Sequence, residues 1–316
     1  MNLPQLKIGN LVAAIPIIQG GMAVRISTAP LAAAVANAGG IGVIGGSGMG
    51  IEELKDQIKK AKELAPNGII GVNIMFVARE FFQLVEAAIS SGVDLIITGA
   101  GFSRDVFKYG EKYKIPIVSI VSSVKTAILA EKCGADAIIV EGKEAGGHLG
   151  TDRPMREVLT EVLEVIKGLP VIAAGGITNG TEIAELIKKG AAGVQMATRF
   201  VLSKECDVSD KFKQMYLSAN KEDIVVFQSP VGLPGRALRN KFVSKVLDGS
   251  IEFFKCSYQC MKKCSFRFCI IESLINAQKG DIDNAIIFSG ENVWKMKEIL
   301  PVKDIFSRLV KEAEAN

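Results

Sequence analysis

Eight short apolar runs, most of them closing on glycine, recur along the first 200 residues. They are IPIIQGG (15–21), IGVIGG (41–46), IIGVNIM (69–75), LIITGAG (95–101), IPIVSIV (115–121), AIIVEG (137–142), VIAAGG (171–176) and GVQMATRF (193–200). Apolar runs without alternation suit parallel strands covered on both faces. Segments of helical period separate them. In FFQLVEAAISSG (81–92), Phe82, Val85 and Ile89 keep an apolar stripe at helical spacing. GTEIAELIKKG (180–190) reads as a helix that Thr181 caps and Gly190 ends. Eight strands and eight helical slots, one unit per 20–34 residues, predict a closed α/β barrel of the (β/α)8 type. An open sheet with a dinucleotide site would need G-x-G-x-x-G at the turn into a helix. The nearest match, GGIGVIGGSGMG (39–50), straddles a strand instead, so the barrel is the better reading.

In such a barrel the strand C-termini build the functional face, and the last two strands often bind phosphate. Those ends read Gln19-Gly20-Gly21-Met22, Gly45-Gly46, Asn73-Ile74-Met75, Thr98 to Gly101, Ser122-Ser123, Glu141-Gly142, Gly175-Gly176 and Gln195 to Thr198. Glycines let backbone approach a flat ligand, while amides and hydroxyls match a ring that carries donors and acceptors. Gly175-Gly176, leading into a helix near Asn179, offers backbone N–H groups to a phosphate. A flat phosphorylated cofactor such as flavin mononucleotide (FMN) fits this face. The only histidine of the chain, His148, stands in EGKEAGGHLG (141–150), on the glycine-rich loop after the sixth strand. An imidazole titrates near neutrality, which makes it the candidate acid–base group.

PIIQGGM, AGGIGVIGG, GVNIM, EGKEAGGHLG, PVIAAGGI and GVQMATRF, in this order, resemble the nitronate monooxygenase (2-nitropropane dioxygenase) family. They also resemble its close relative, the flavin-dependent enoyl-acyl carrier protein reductase. The resemblance covers roughly residues 10–205. It implies a TIM barrel that binds FMN non-covalently, with a histidine beside the isoalloxazine ring. Carried over by motif, Gly21 and Met22 join the cofactor site and Asn73 hydrogen-bonds the flavin. Gly146 lines the ring, while Gly176 with Gln195, Met196, Ala197 and Thr198 holds the phosphate end. Glu141 stands where the family often has Gln, and a carboxylate donates a hydrogen bond only when protonated. His148 falls on the active-site histidine.

The activity so implied is oxidative denitrification of alkyl nitronates with O2 to a carbonyl compound and nitrite. His148 would remove the α-proton of a nitroalkane, or as imidazolium stabilise the nitronate oxygens. The same motifs fit the sister reductase, which passes hydride from NAD(P)H through FMN to an enoyl thioester in fatty acid synthesis. Gly232, Arg236 and Asn240 in VVFQSPVGLPGRALRNKFV (225–243) lean towards the monooxygenase branch. Arg236 or Arg239 can equally meet a pyridine nucleotide phosphate or a surface carboxylate.

The sequence divides into a barrel over 1–205 and a mainly helical extension or lid over 206–316. Within the extension, Cys256, Cys260, Cys264 and Cys269 are spaced C-x3-C-x3-C-x4-C. On a helix the first three would share a face. Four thiolates can close a zinc site or hold an iron–sulfur cluster, and reduced cysteines can also pack as small hydrophobes. A net charge of +4 with both signs dispersed gives no nucleic-acid surface. MNLPQLKIGN lacks the pattern of a signal peptide, and Pro16, Arg25 and Pro30 break the most apolar stretch, so no membrane span is expected. The expectation is a cytoplasmic enzyme with reduced cysteines acting on a small molecule, a homodimer being open to it.

Overall fold

The computed structural model describes residues 2–251, 256 and 258–316. The eight apolar runs form β1 (Ile17–Gln19), β2 (Ile41–Gly45), β3 (Ile69–Met75), β4 (Leu95–Gly99), β5 (Ile117–Val121), β6 (Ala137–Glu141), β7 (Val171–Ala174) and β8 (Gly193–Met196). All neighbours pair in parallel and β8 returns to β1, closing a (β/α)8 TIM barrel. Ile18, Val43, Leu95, Ile97, Ile139 and Ile172 fill its interior. An N-terminal hairpin, Leu6–Ile8 with Leu11–Ala13, floors it, and its Leu6 and Ile8 join the same cluster.

Seven helices follow the first seven strands: α1 (Ala29–Asn37), α2 (Ile51–Leu64), α3 (Phe81–Ser90), α4 (Asp105–Tyr113), α5 (Val124–Lys132), α6 (Met155–Val165) and α7 (Gly180–Lys188). The cap of α7 is Asn179, not Thr181. Asn179 has extended backbone, and its side-chain oxygen accepts the Glu182 N–H at 2.9 Å; Thr181 already lies in the first turn.

After β8 comes a single turn, α8 (Thr198–Val201). The chain then leaves the barrel through α9 (Asp210–Ser218), β9 (Ile224–Gln228), β10 (Pro234–Leu238), α10 (Lys241–Asp248), α11 (Ile270–Lys279) and β11 (Ile287–Phe288), and returns as α12 (Val302–Glu314). Helix α12 packs on both α7 and α1, which is the eighth position of the outer ring. Its stripe of Val302, Ile305, Phe306, Leu309 and Ala313 is buried there. Glu312 accepts the Gly180 N–H at 2.8 Å. A Cβ on Gly180 would stand 2.0 Å from the Leu309 carbonyl oxygen, so this close approach needs glycine. The division at 205/206 is therefore redrawn. Residues 206–301 are an excursion between β8 and the barrel's last helix.

The excursion has a core of its own around Phe227, Val243, Phe268, Ile271 and Leu274. It is sheet as well as helix: β9, β10 and β11 pair antiparallel, and the two-residue strand Gly147–His148 adds to β10. That addition carries the loop after β6 to the excursion. No helix among the described residues is long and apolar enough to cross a membrane.

Candidate active site

Strand register sets one tier of side chains at the barrel mouth. Glu141 pairs with Ala174, Ala174 with Gln195, Met196 with Gln19, and Gly45 with Asn73. Two cavities meet above this tier. One is bordered by Gly175, Gly176, Met196, Gly290 and Asn292. The other, about 1050 Å³ of empty space partly open to solvent, is bordered by Gly21, Met22, Asn73, His148, Tyr216, Phe288 and Ser289. Glu141, Gly146, Gln195, Ala197 and Thr198 wall both, so the two form one groove. Gly21, Met22, Asn73, Glu141, Gly146, Gly176, Gln195, Met196, Ala197, Thr198 and His148, scattered in sequence from 21 to 198, all border it.

Glycine shapes the walls. A Cβ on Gly21 would fall 2.4 Å from the Asn73 Cβ and 3.1 Å from Val43 Cγ1. Gly175 and Gly176 take φ of +105° and +75°, which side chains disfavour. The Gly176 carbonyl accepts from Asn292 Nδ2 at 2.6 Å, and the Gly290 N–H donates to Thr198 Oγ1 at 3.0 Å. The amides expected to be free at the start of α7 are in use. Thr178 N–H donates to Glu182, Gly180 N–H to Glu312 and Glu182 N–H to Asn179. Those of Gly176 and Ile177 have no partner among the described residues.

Gly21→Ala tests this reading of the walls. Overpacking costs about 1–3 kcal/mol, so if it falls on the occupied form, ligand affinity drops roughly ten- to hundredfold. Titrating the variant with FMN by fluorescence quenching measures it. Wild-type affinity in Gly21→Ala would mean that nothing presses on this wall.

Three polar groups of the groove, on Gln195, Asn73 and Glu141, are left short of protein partners. Gln195 Oε1 is buried without a donor, and Asn73 Nδ2 reaches only the Ile97 carbonyl, at a weak 3.4 Å. The Glu141 carboxylate has no hydrogen-bond partner among the described residues, and its enclosure by apolar walls pushes it up to about 7. His148 is pinned three ways. Its backbone pairs with Gly235 in β10, its ring packs edge-on to Phe288 at 5.1 Å, and Nε2 lies 2.8 Å from Ser229 Oγ. The same enclosure lowers the imidazole to about 4. This favours the neutral imidazole over the imidazolium, the two forms that the sequence left open.

Ser229, Phe288, Ser289, Tyr216 and Asn292 enter the site from the excursion without a signal in the sequence. Ser289 is 1% exposed and its hydroxyl is unpartnered, facing the same space as His148. Only the turn residues of QSPVGLPG (228–235) hinted that a loop tip was placed here. Arg236 is committed elsewhere: Nη2 donates to the Lys143 carbonyl at 2.6 Å and lies 3.9 Å from Glu291. Arg239 is exposed. Asn240 caps α10 and ties it to the Ile282 and Ala285 carbonyls.

For Cys256, Cys260, Cys264 and Cys269 the sequence left a metal site and packed reduced cysteines both open. Among the described residues no group of three or more His, Cys, Asp or Glu is arranged to hold a metal ion. The segment is not helical: α11 starts only at Ile270, with Cys269 as its cap. The sulfurs of Cys256, Cys264 and Cys269 accept backbone N–H groups of Gln259, Phe266 and Glu272, each at 3.4 Å. Burial and the neighbouring thiols push Cys260 up to about 11, so it stays a thiol. Backbone contacts dock the segment on the loop after β3, with the Arg79 N–H donating to the Cys260 carbonyl and the Lys262 N–H to that of Val77.

Comparison with known proteins agrees with this geometry. The family model described as nitronate monooxygenase matches residues 5–82 and 67–312. The (3aS,4S,5R,7aS)-5-hydroxy-7a-methyl-1-oxo-octahydro-1H-indene-4-carboxyl-CoA dehydrogenase of Mycobacterium tuberculosis is 35% identical over 237 residues, 74% of this chain and 66% of that protein. A Staphylococcus aureus protein named "Probable nitronate monooxygenase" is 30% identical over 275 residues, 73% of this chain and 77% of that one. The structure of FabK from Thermotoga maritima superposes with a TM-score of 0.86 at 33% identity, over 96% of this chain and 94% of that chain. That of a nitroalkane oxidase from Streptomyces ansochromogenes, at 22% identity and a TM-score of 0.82 over 96% of each chain, shares the fold. With residues 5–82 and 67–312 of the chain matched, the chain belongs to the nitronate monooxygenase family.

Proposed function

We propose that the groove binds FMN and that the protein oxidises alkyl nitronates with O2, releasing a carbonyl compound and nitrite. The observation that carries the reading is the single, neutral His148, held at the mouth of a groove in which the buried Gln195 Oε1 lacks a protein partner. A flavin ring presents both donors and acceptors, and Gln195 Oε1, Asn73 Nδ2 and the Glu141 carboxyl supply the complements. The Gly176 and Ile177 amides, with Ala197 and Thr198, would hold the phosphate. When bound, the flavin supplies the electron-accepting chemistry and the reaction with O2.

The chain's own part is orientation and water exclusion. Phe288, Leu274, Met22 and Met75 give the groove apolar walls that displace water from the reacting carbon. His148 holds a hydrogen bond to the substrate's oxygen. A neutral imidazole lowered to about 4 is unprotonated through the neutral range. His148 should therefore add no inflection near 6.5 to turnover on an already ionised nitronate, measured at saturating FMN.

A second reading, reduction of an enoyl thioester by NAD(P)H, is favoured by one observation: FabK matches over nearly the full chain. Anaerobic titration of the FMN-loaded protein separates the two. The proposal expects the flavin absorbance to bleach with propionate 3-nitronate and to persist with NADH or NADPH. Rapid bleaching by either nucleotide would transfer the assignment to the reductase.

A further inference from the structure

Ser229 lies 81 positions from His148 in sequence and 2.8 Å from its Nε2 in space. It is 5% exposed. A tight turn fixes it: its N–H donates to the Leu233 carbonyl at 3.0 Å, and its carbonyl accepts the Gly232 N–H at 3.1 Å. Gly232 supports the turn with φ of +84°. With these backbone groups engaged, the imidazole is the one partner of the hydroxyl among the described residues. The ring cannot swing away, because Phe288 packs on it and β10 holds its backbone. His148 Nδ1 has no protein partner among the described residues, and the residue borders the groove.

A neutral imidazole carries one proton, and two placements compete. With the proton on Nε2, the ring donates to Ser229 Oγ, and the buried serine O–H is stranded without an acceptor. With the proton on Nδ1, the serine donates to Nε2 and its buried O–H is satisfied. The ring N–H is then left to an acceptor in the groove that His148 borders, which costs less than stranding the enclosed hydroxyl.

We propose that Ser229 donates its hydroxyl proton to Nε2 and so holds His148 as the Nδ1–H tautomer, which makes the histidine a hydrogen-bond donor to a substrate oxygen and not a base. Ser229 is a positioning residue that acts through the ring. The tautomer follows from contacts within the protein, whereas the donor role rests on the groove being the active site. It suits substrates whose reacting group already offers an electron-rich oxygen, and it excludes any that must first lose a proton to His148.

Because the chain has one histidine, ¹⁵N-histidine labelling of the FMN-loaded protein gives the signals of a single ring. At pH 7 the proton is expected on Nδ1 in wild type. In Ser229→Ala it should redistribute to Nε2, with flavin content unchanged and kcat lowered roughly ten- to hundredfold. Ser229→Thr, which keeps the hydroxyl, should restore both the ring signals and most of kcat. A wild-type ring protonated on Nε2, or a Ser229→Ala ring that keeps the wild-type tautomer, overturns the proposal. If the tautomer is as stated but neither nitronate nor enoyl thioester turns over, the functional reading fails and the donor role fails with it.

Discussion

Replacing His148 by alanine is expected to lower nitronate turnover by about 10²–10³ and to leave FMN bound. The magnitude is that of removing one well-placed donor from developing negative charge in a site shielded from water. FMN should remain because the backbone at 148 is held by its pairing with Gly235, which alanine keeps. The groups proposed to face the flavin, Asn73, Gln195 and Gly176, stand on other strands and turns. No second histidine can substitute, so the residual rate reports the groove alone, and added imidazole should recover part of the loss. Flavin spectra and kcat of the variant decide it. An unchanged kcat would remove His148 from the chemistry, and a folded variant without flavin would make it a cofactor ligand instead.

The second large effect lies at Glu141. Its carboxyl rises from 4.5 to about 7 on folding because apolar walls desolvate it and no donor or cation compensates. The raised value means that the folded state prefers the protonated form. Any stability it contributes is present in full below pH 4.5, is lost as pH rises towards 7, and stays lost above that. At 1.36 kcal/mol per pKa unit, and discounting for water in the empty groove, the loss is about 1–3 kcal/mol.

Glu141→Gln removes the titrating group at nearly constant shape. Without FMN, the variant should match wild type near pH 4.5 and exceed it at pH 8, by about 2–4 °C of Tm for each kcal/mol. His148 titrates in both proteins below 6.5, so it cancels from the comparison. FMN affinity of wild type should also fall between pH 6 and 8, as the carboxyl stops donating, while that of the variant stays level. Parallel melting curves at both pH values would falsify the claim that Glu141 is the strained group.

Much of this site is legible one residue at a time. Gly21, Asn73, Gly176 and the Gln195–Thr198 run sit at strand ends because a continuous apolar run followed by a glycine marks both the strand and its turn. Parallel register then brings those ends to one tier. His148 is exceptional by count alone, and its glycine-rich loop after β6 is local information. The cysteine spacing fixed no geometry, because a shared face required a helix there and α11 starts only at Ile270.

By itself, then, the sequence determined the barrel, the order of its strands, and which strand ends border the groove, since these depend on periodicities that neighbouring residues carry. The tertiary structure decided the rest. The eighth barrel helix comes from residues 302–314, after an excursion of nearly a hundred residues, and Ser229, Phe288 and Ser289 reach His148 from that excursion. Such contacts join separate elements, and in one chain they leave no period to read. The charge states of His148 and Glu141 also belong to the folded molecule, because desolvation is a property of the surroundings that folding assembles around a side chain.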